Sequence, residues 1–354
     1  MRQIVSKWVD RYFSDEEAML FFVLLMAALA VILWMGKPLA PVFAGVILAF
    51  LMQGGVNALK NRLGFSHIVS VTLVFLLFVG AVLALILIVL PQVWRQTVNL
   101  INEMPRIVAE VQQLALLLPE KYPTLVSPEQ VTALFNQAAS QLTGAGQWIL
   151  ASSFNTIGPL VSLLIYLILV PILVFFFLKD GAVLVNAWTS FLPKKRDMMT
   201  RIWHEMDVQI ANYIRGKATE IAIVGGVTYL VFAILGVNYA ALLAIVVGLS
   251  VLIPYIGATL ATLPVAVIGF IQWGVSSEFM YLLVAYAIIQ ALDGNVLVPL
   301  LFSEAVNLHP VSIIISVLVF GSLWGFWGLF FAIPLATLVK SVANAWPRAK
   351  EIEE

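Results

Sequence analysis

The residues best suited to chemistry lie within apolar runs. The richest stretch is Gln290-Ala291-Leu292-Asp293-Gly294-Asn295-Val296-Leu297-Val298-Pro299, continuing through Ser303-Glu304-Ala305-Val306-Asn307-Leu308-His309-Pro310. Fourteen uncharged residues separate Glu278 from Asp293, so a helix entering the bilayer there carries Asp293 about two-thirds of the way across. A carboxylate at that depth costs about 2.5–3.5 kcal/mol or more unless water, a cation or a partner compensates it, and such residues usually face a pathway. No Lys or Arg lies in the same run to pair with Asp293. Gly294 and Pro299 permit local unwinding that frees backbone carbonyls, while Gln290 and Asn295 add amides. The expected chemistry is therefore binding of a small polar solute or a monovalent cation, with Asp293 as principal ionisable group and Glu304 and Asn307 as further candidates. The plainer alternative is an interfacial turn at Asp293-Gly294 and a solvated Glu304.

A second break falls at Ile253-Pro254-Tyr255-Ile256-Gly257, followed by Thr259 and Thr262. Pro254 and Gly257 read either as part of a gate or as a tight helix-to-helix connection, the second being favoured. A non-helical break at membrane depth survives only where protein or a water-filled cavity satisfies the freed backbone groups.

Signatures of catalysis are missing. There is no phosphate-cradling G-x-x-x-x-G-K-[ST], and Gly216-Lys217 lacks the upstream glycine and reads as a span-entry lysine. His67, His204 and His309 have no metal-ligand spacing. Cysteine is absent, which excludes disulfides and thiolate chemistry. No catalytic residue, metal or cofactor is expected.

The elements that must position these groups follow from composition. Of 354 residues, 62% are hydrophobic and 11% charged, against about 25% charged in a soluble domain. The apolar residues gather into runs near 18–36, 38–57, 68–90, 148–178, 219–236, 240–254, 257–273, 279–302 and 309–340. A span needs about 20 apolar residues. Residues 240–254 are short for an untilted span, and 309–340 is long enough to fold back at Gly321, Gly325 and Gly328. The expected fold is an all-α, polytopic helical membrane protein with about eight spans, some broken or re-entrant. Acidic residues at 15–17 precede the first run and no small-residue cleavage site follows, so that run is expected to be a retained span.

Lys and Arg favour cytoplasmic loops. Seven fall within 179–217, and Lys60 and Arg62 in 58–67, whereas 91–147 has only Arg95, Arg106 and Lys121. The expected organisation is first membrane helices in 1–90, a periplasmic helical segment in 91–147 and a membrane helix in 148–178. A cytoplasmic amphipathic segment in 179–218, membrane helices with broken or re-entrant elements in 219–340 and a cytoplasmic tail in 341–354 complete it. Trp94, Val98, Ile101, Val108, Val111 and Ala115 recur at helical spacing in the outer segment. A second outer helix is expected from Ser127, with Pro128 first and Gln130 third. On the inner side Ile202, Met206, Ile210 and Tyr213 form a similar stripe. Net charge is zero, which disfavours nucleic acid as a partner.

The order Phe175-Phe176-Phe177-Leu178-Lys179-Asp180, Tyr213-Ile214-Arg215-Gly216-Lys217, Ile253-Pro254-Tyr255-Ile256-Gly257-Ala258 and Ala332-Ile333-Pro334-Leu335-Ala336-Thr337 resembles the autoinducer-2 exporter family of permeases, most closely its PerM-type branch. The resemblance covers nearly the whole chain. It implies a permease of a Gram-negative bacterial inner membrane with both termini cytoplasmic, assembled as a homo-oligomer. Its relatives include exporters of a signalling molecule and sodium or lithium/proton antiporters. Three functions compete: ion-coupled export of a small polar solute, cation/proton antiport, and a non-transporting membrane scaffold.

Overall fold

The computed structural model describes residues 15–117, 119, 127–154, 157–193, 196–254, 256–302 and 308–346. Among these residues the regular structure is helical, with no strand. Among the described residues seven helical stretches are long and apolar enough to cross a membrane, and two shorter apolar helices accompany them. The chain is thus a multi-pass helical membrane protein.

Helix α1 (Glu16–Leu63) begins at the Asp15 cap, whose carboxylate accepts from Glu17 N and Ala18 N, and ends at Gly64 in the left-handed region. At about 1.5 Å per residue its 48 residues make a path of about 72 Å. The sequence suggested separate spans at 18–36 and 38–57, but one helix runs through both. Pro38 and Pro41 each remove a backbone donor without supplying a turn, and no residue between the two runs takes a positive φ.

Helix α2 (His67–Ala84) passes through a π-helical turn at Leu85–Val89 directly into α3 (Leu90–Ala115). The segment expected to lie outside thus continues directly from a membrane span, with the π turn between them. Helix α4 (Pro128–Phe154) packs on α3. It starts where the capping pattern indicated: Ser127 N donates to Gln130 Oε1 at 3.2 Å, and Gln130 N donates to Ser127 Oγ at 3.3 Å. It continues seven residues beyond position 147, the expected end of the outer segment.

Helix α5 (Ile157–Thr189) packs against α1 and α2 through Val56, Val71, Val174 and Leu178, all nearly inaccessible. Helix α6 (Asp197–Ile234) is one continuous rod, so the expected boundary at 218/219 falls inside a helix. The inner stripe is buried at Ile202, Met206 and Tyr213. Helix α7 (Ala240–Ser250) doubles back on α6, with a short turn leading into α8 (Ile256–Trp273). Gly248 and Gly225 let α6 and α7 meet closely: a Cβ on Gly248 would stand 3.0 Å from the Gly225 Cα. Small residues permit such backbone approach in membrane helices.

Helix α9 (Ser277–Leu292), a π-helical turn at Asp293–Leu297 and α10 (Val298–Phe302) form one span. Helix α11 (Pro310–Phe330) breaks at Gly325, where φ is 60° and ψ −134°, and α12 (Ala332–Ala345) follows. Leu329 reaches the Gly321 position and the Phe320 carbonyl crowds Gly328, so the chain folds back here. The fold-back expected from the three glycines is present.

Candidate functional site

Four elements converge on one buried polar cluster: α6, the α7–α8 turn, and the α9 and α10 portions of the following span. On α6, Lys217, Glu220, Val224 and Thr228 recur at three- and four-residue steps and are all buried. Lys217 is 4% and Glu220 2% exposed, and Lys217 Nζ stands 2.7 Å from Glu220 Oε2. The same ammonium donates to the Val251 carbonyl at 2.8 Å and lies 5.2 Å from the centroid of the Phe302 ring on α10. A Cβ on Gly216 would meet the Phe302 Cε1 at 2.6 Å, so the glycine preceding the lysine makes room for that ring.

The α7–α8 turn explains the Val251 contact. Helix α7 ends with Ser250, and Leu252 N and Ile253 N turn back to the Leu249 and Ser250 carbonyls. Beyond Pro254, Gly257 is pressed against the Ser250 carbonyl so closely that no side chain fits. Pro254 and Gly257 thus form a tight connection, whose Val251 carbonyl is capped by a lysine from another helix. This is how a non-helical break at depth is satisfied by protein.

Asp293 opens the π-helical turn on the opposite side. Its Oδ1 is buried with no hydrogen-bond partner, and Lys217 and Glu220 lie within its electrostatic reach. Sequence reading found no basic partner in the same run; the nearby cation comes from α6. Nor does the segment unwind at Gly294 and Pro299. It stays helical, with Val298 N bonding to Asp293 O in a widened turn. Such π turns recur at functional sites because they re-aim a side chain at small backbone cost.

Gln290 and Tyr286 continue the Asp293 face of α9. The Gln290 Nε2 is buried without a partner. Tyr286 donates to the Ala258 carbonyl at 3.1 Å, and Thr262 Oγ1 lies 3.4 Å from its hydroxyl. Asn295 is turned away: it is exposed and donates to the Ala291 carbonyl at 2.8 Å. Glu304 and Asn307 lie outside the described residues, as does Tyr255. The cluster therefore unites Asp293 and Gln290 with the Pro254–Gly257 break, and excludes Asn295.

Lys217, Glu220 and Thr228 escaped sequence reading as site residues. In sequence Lys217 reads as a span-entry lysine because an apolar run begins just beyond it. Its i,i+3 spacing from Glu220, directly before that run, was the available signal. The Thr228 hydroxyl is also buried and unpartnered.

One positive and two negative side chains thus act on one another, the Lys217–Glu220 pair buried and Asp293 half-buried with its Oδ1 shielded from solvent. Lys217 and Glu220 neutralise each other, which leaves the Asp293 carboxylate over. A proton, a monovalent cation or a polar solute could compensate it.

The family model described as "AI-2E family transporter" matches residues 20–348. The Escherichia coli (strain K12) protein named "Putative permease PerM" is 43% identical over 354 residues, all of both chains. The Bacillus subtilis (strain 168) protein "Putative transport protein YueF" is 27% identical over 306 residues, covering 85% of this chain and 82% of that protein. The Mycobacterium tuberculosis protein "Putative transport protein MT0215" is 25% identical over 322 residues, 88% of this chain and 85% of that protein.

Proposed function

Because the chain belongs to the AI-2E transporter family, we propose that it is a secondary transporter of a bacterial inner membrane that exports a small polar solute in exchange for protons or sodium. Asp293 is the coupling carboxylate, and Gln290 and Tyr286 line the solute path beside it. The observation that carries this reading is the excess of one acidic group in the Lys217–Glu220–Asp293 cluster. A half-buried carboxylate with one shielded oxygen, left over from a neutral pair, is compensated in either of two forms, protonated or cation-bound. Exchange between those forms is what couples an ion gradient to movement of a solute.

Export runs from a basic cytoplasmic side to a periplasmic side that carries the α3–α4 hairpin. The charge bias supports this orientation, and the His67 ring approaches the Lys179 carbonyl at 3.2 Å, which joins the basic loop 58–67 to the start of the basic segment 179–217. The protein assembles as a homo-oligomer, a reading that rests on the family resemblance, since the apolar stripes of the hairpin largely pack within one chain.

Sodium or lithium/proton antiport without an organic solute is the second reading, and the same charge excess favours it. Purified protein in sealed liposomes separates these possibilities. Solute efflux that requires a pH or sodium gradient supports the proposal; cation-driven proton movement with no solute requirement supports antiport. Liposomes that pass neither ion nor solute under any gradient would point to a scaffold and refute both.

A further inference from the structure

We propose that Gln96, on the outer helix α3, is a positioning residue for the buried charge cluster and acts on it through α7.

The case begins with the ends of α7. A helix leaves its first amides and last carbonyls unpaired, and side chains usually cap them. Helix α7 lacks its own amino-terminal cap: Tyr239 occupies that position with a positive φ of 60° and no side-chain cap bond. The orphan amide of Leu242 is instead accepted by Gln96 Oε1 at 2.9 Å, from 146 residues earlier in the chain. At the other end the Val251 carbonyl is capped by Lys217 at 2.8 Å. Both ends of one helix are therefore held by side chains of other helices, one in the outer hairpin and one in the charge cluster.

Between these ends α7 is stiff. Its 11 residues span about 16 Å with the hydrogen-bond ladder along the axis. Leu243 and Val247 are 2% and 0% exposed within the core, and the Gly248–Gly225 contact lays α7 flat against α6.

The outer end has further ties to the hairpin. Tyr239 faces Glu103, and partial burial followed by that carboxylate pushes its hydroxyl up to about 12, so it stays protonated. Leu100 packs on the same core as Tyr239. Helix α3 is itself the continuation of α2 through the π turn at Leu85–Val89, a place where helices bend. A tilt of the hairpin about that turn moves Gln96, Gln96 moves the Leu242 amide, and the rod carries the shift to Val251. Withdrawal of the Val251 carbonyl then frees one Lys217 donor for Asp293. The consequence for transport rests on the coupling-site reading above, but the mechanical link does not.

The test uses the full chain in nanodiscs and exploits its lack of cysteine. A single Val251→Cys reports whether the inner end of α7 opens, and a single Val265→Cys on α8 reports general loosening. Each is combined with Gln96→Met, which removes the acceptor, or Gln96→Glu, which keeps one. The expected result is severalfold faster labelling of position 251 by a small permeant maleimide with Gln96→Met, the parental rate with Gln96→Glu, and an unchanged rate at 265 throughout. Unchanged labelling at 251 with Gln96→Met overturns the proposal, as does equal acceleration at 251 and 265. Flux measured on the same variants is judged separately: failure of the parental protein to transport removes the coupling-site reading, while labelling still decides whether Gln96 acts through α7.

Discussion

Lys217 donates to the Val251 carbonyl at 2.8 Å and so ties the middle of α6 to the non-helical turn between α7 and α8. The ammonium serves three neighbours at once, since Glu220 lies 2.7 Å away and the Phe302 ring closes over it. It is both the cap for a buried backbone carbonyl and the counter-charge facing two carboxylates.

Removal of that ammonium leaves a buried carboxylate and a buried carbonyl without partners. Lys217→Met is expected to destabilise the folded protein by about 3–5 kcal/mol, the range for one half of a buried ion pair. The double variant Lys217→Met/Glu220→Gln removes both charges and should recover part of the loss. Melting temperature in mild detergent reads this directly; a single variant as stable as the parent would show that the pair contributes little.

Two glycines make a paired test of the α7–α8 turn. Gly257→Ala drives a methyl into the Ser250 carbonyl, whereas Gly226 has no neighbouring atom within 4 Å of its Cβ position. The first should lower stability by about 1–3 kcal/mol or more, as overpacking against backbone does. Gly226→Ala should be neutral or slightly stabilising, since alanine is the better helix former. Equal melting temperatures for the two variants would contradict the tight turn.

Orientation is open to a chemical test. A cysteine at Glu110 on α3 should react with an impermeant thiol reagent in cells whose outer membrane is permeabilised, and one at Arg201 near the start of α6 should not. The reverse pattern would invert the topology.

Much of this architecture was legible in the sequence because membrane helices announce themselves by length and hydropathy. The fold-back at Gly325, the Ser127 start of the second outer helix and the break at Pro254 each had a local cause that sequence shows. The misread features were those decided by partners. The runs 18–36 and 38–57 read as two spans, but one helix continues through both. Asp293 looked isolated because its counter-charge stands 76 positions earlier, and Lys217 looked superficial because apolar runs mark where a span's hydrophobic part begins rather than where a helix starts. Asn295 was grouped with Asp293 by adjacency, although it is exposed and bonded back to Ala291.

In the proposed transport cycle Asp293 carries the coupling ion. Asp293→Asn keeps the shape of the side chain and removes its charge, so the Lys217–Glu220 pair alone remains in the cluster. Solute flux from sealed liposomes, driven by an imposed pH or sodium gradient, is the most direct measurement. The variant is expected to lose gradient-driven flux while keeping parental yield and melting temperature. Flux at the parental rate, with the parental dependence on pH and sodium, would contradict the claim and place the coupling group elsewhere.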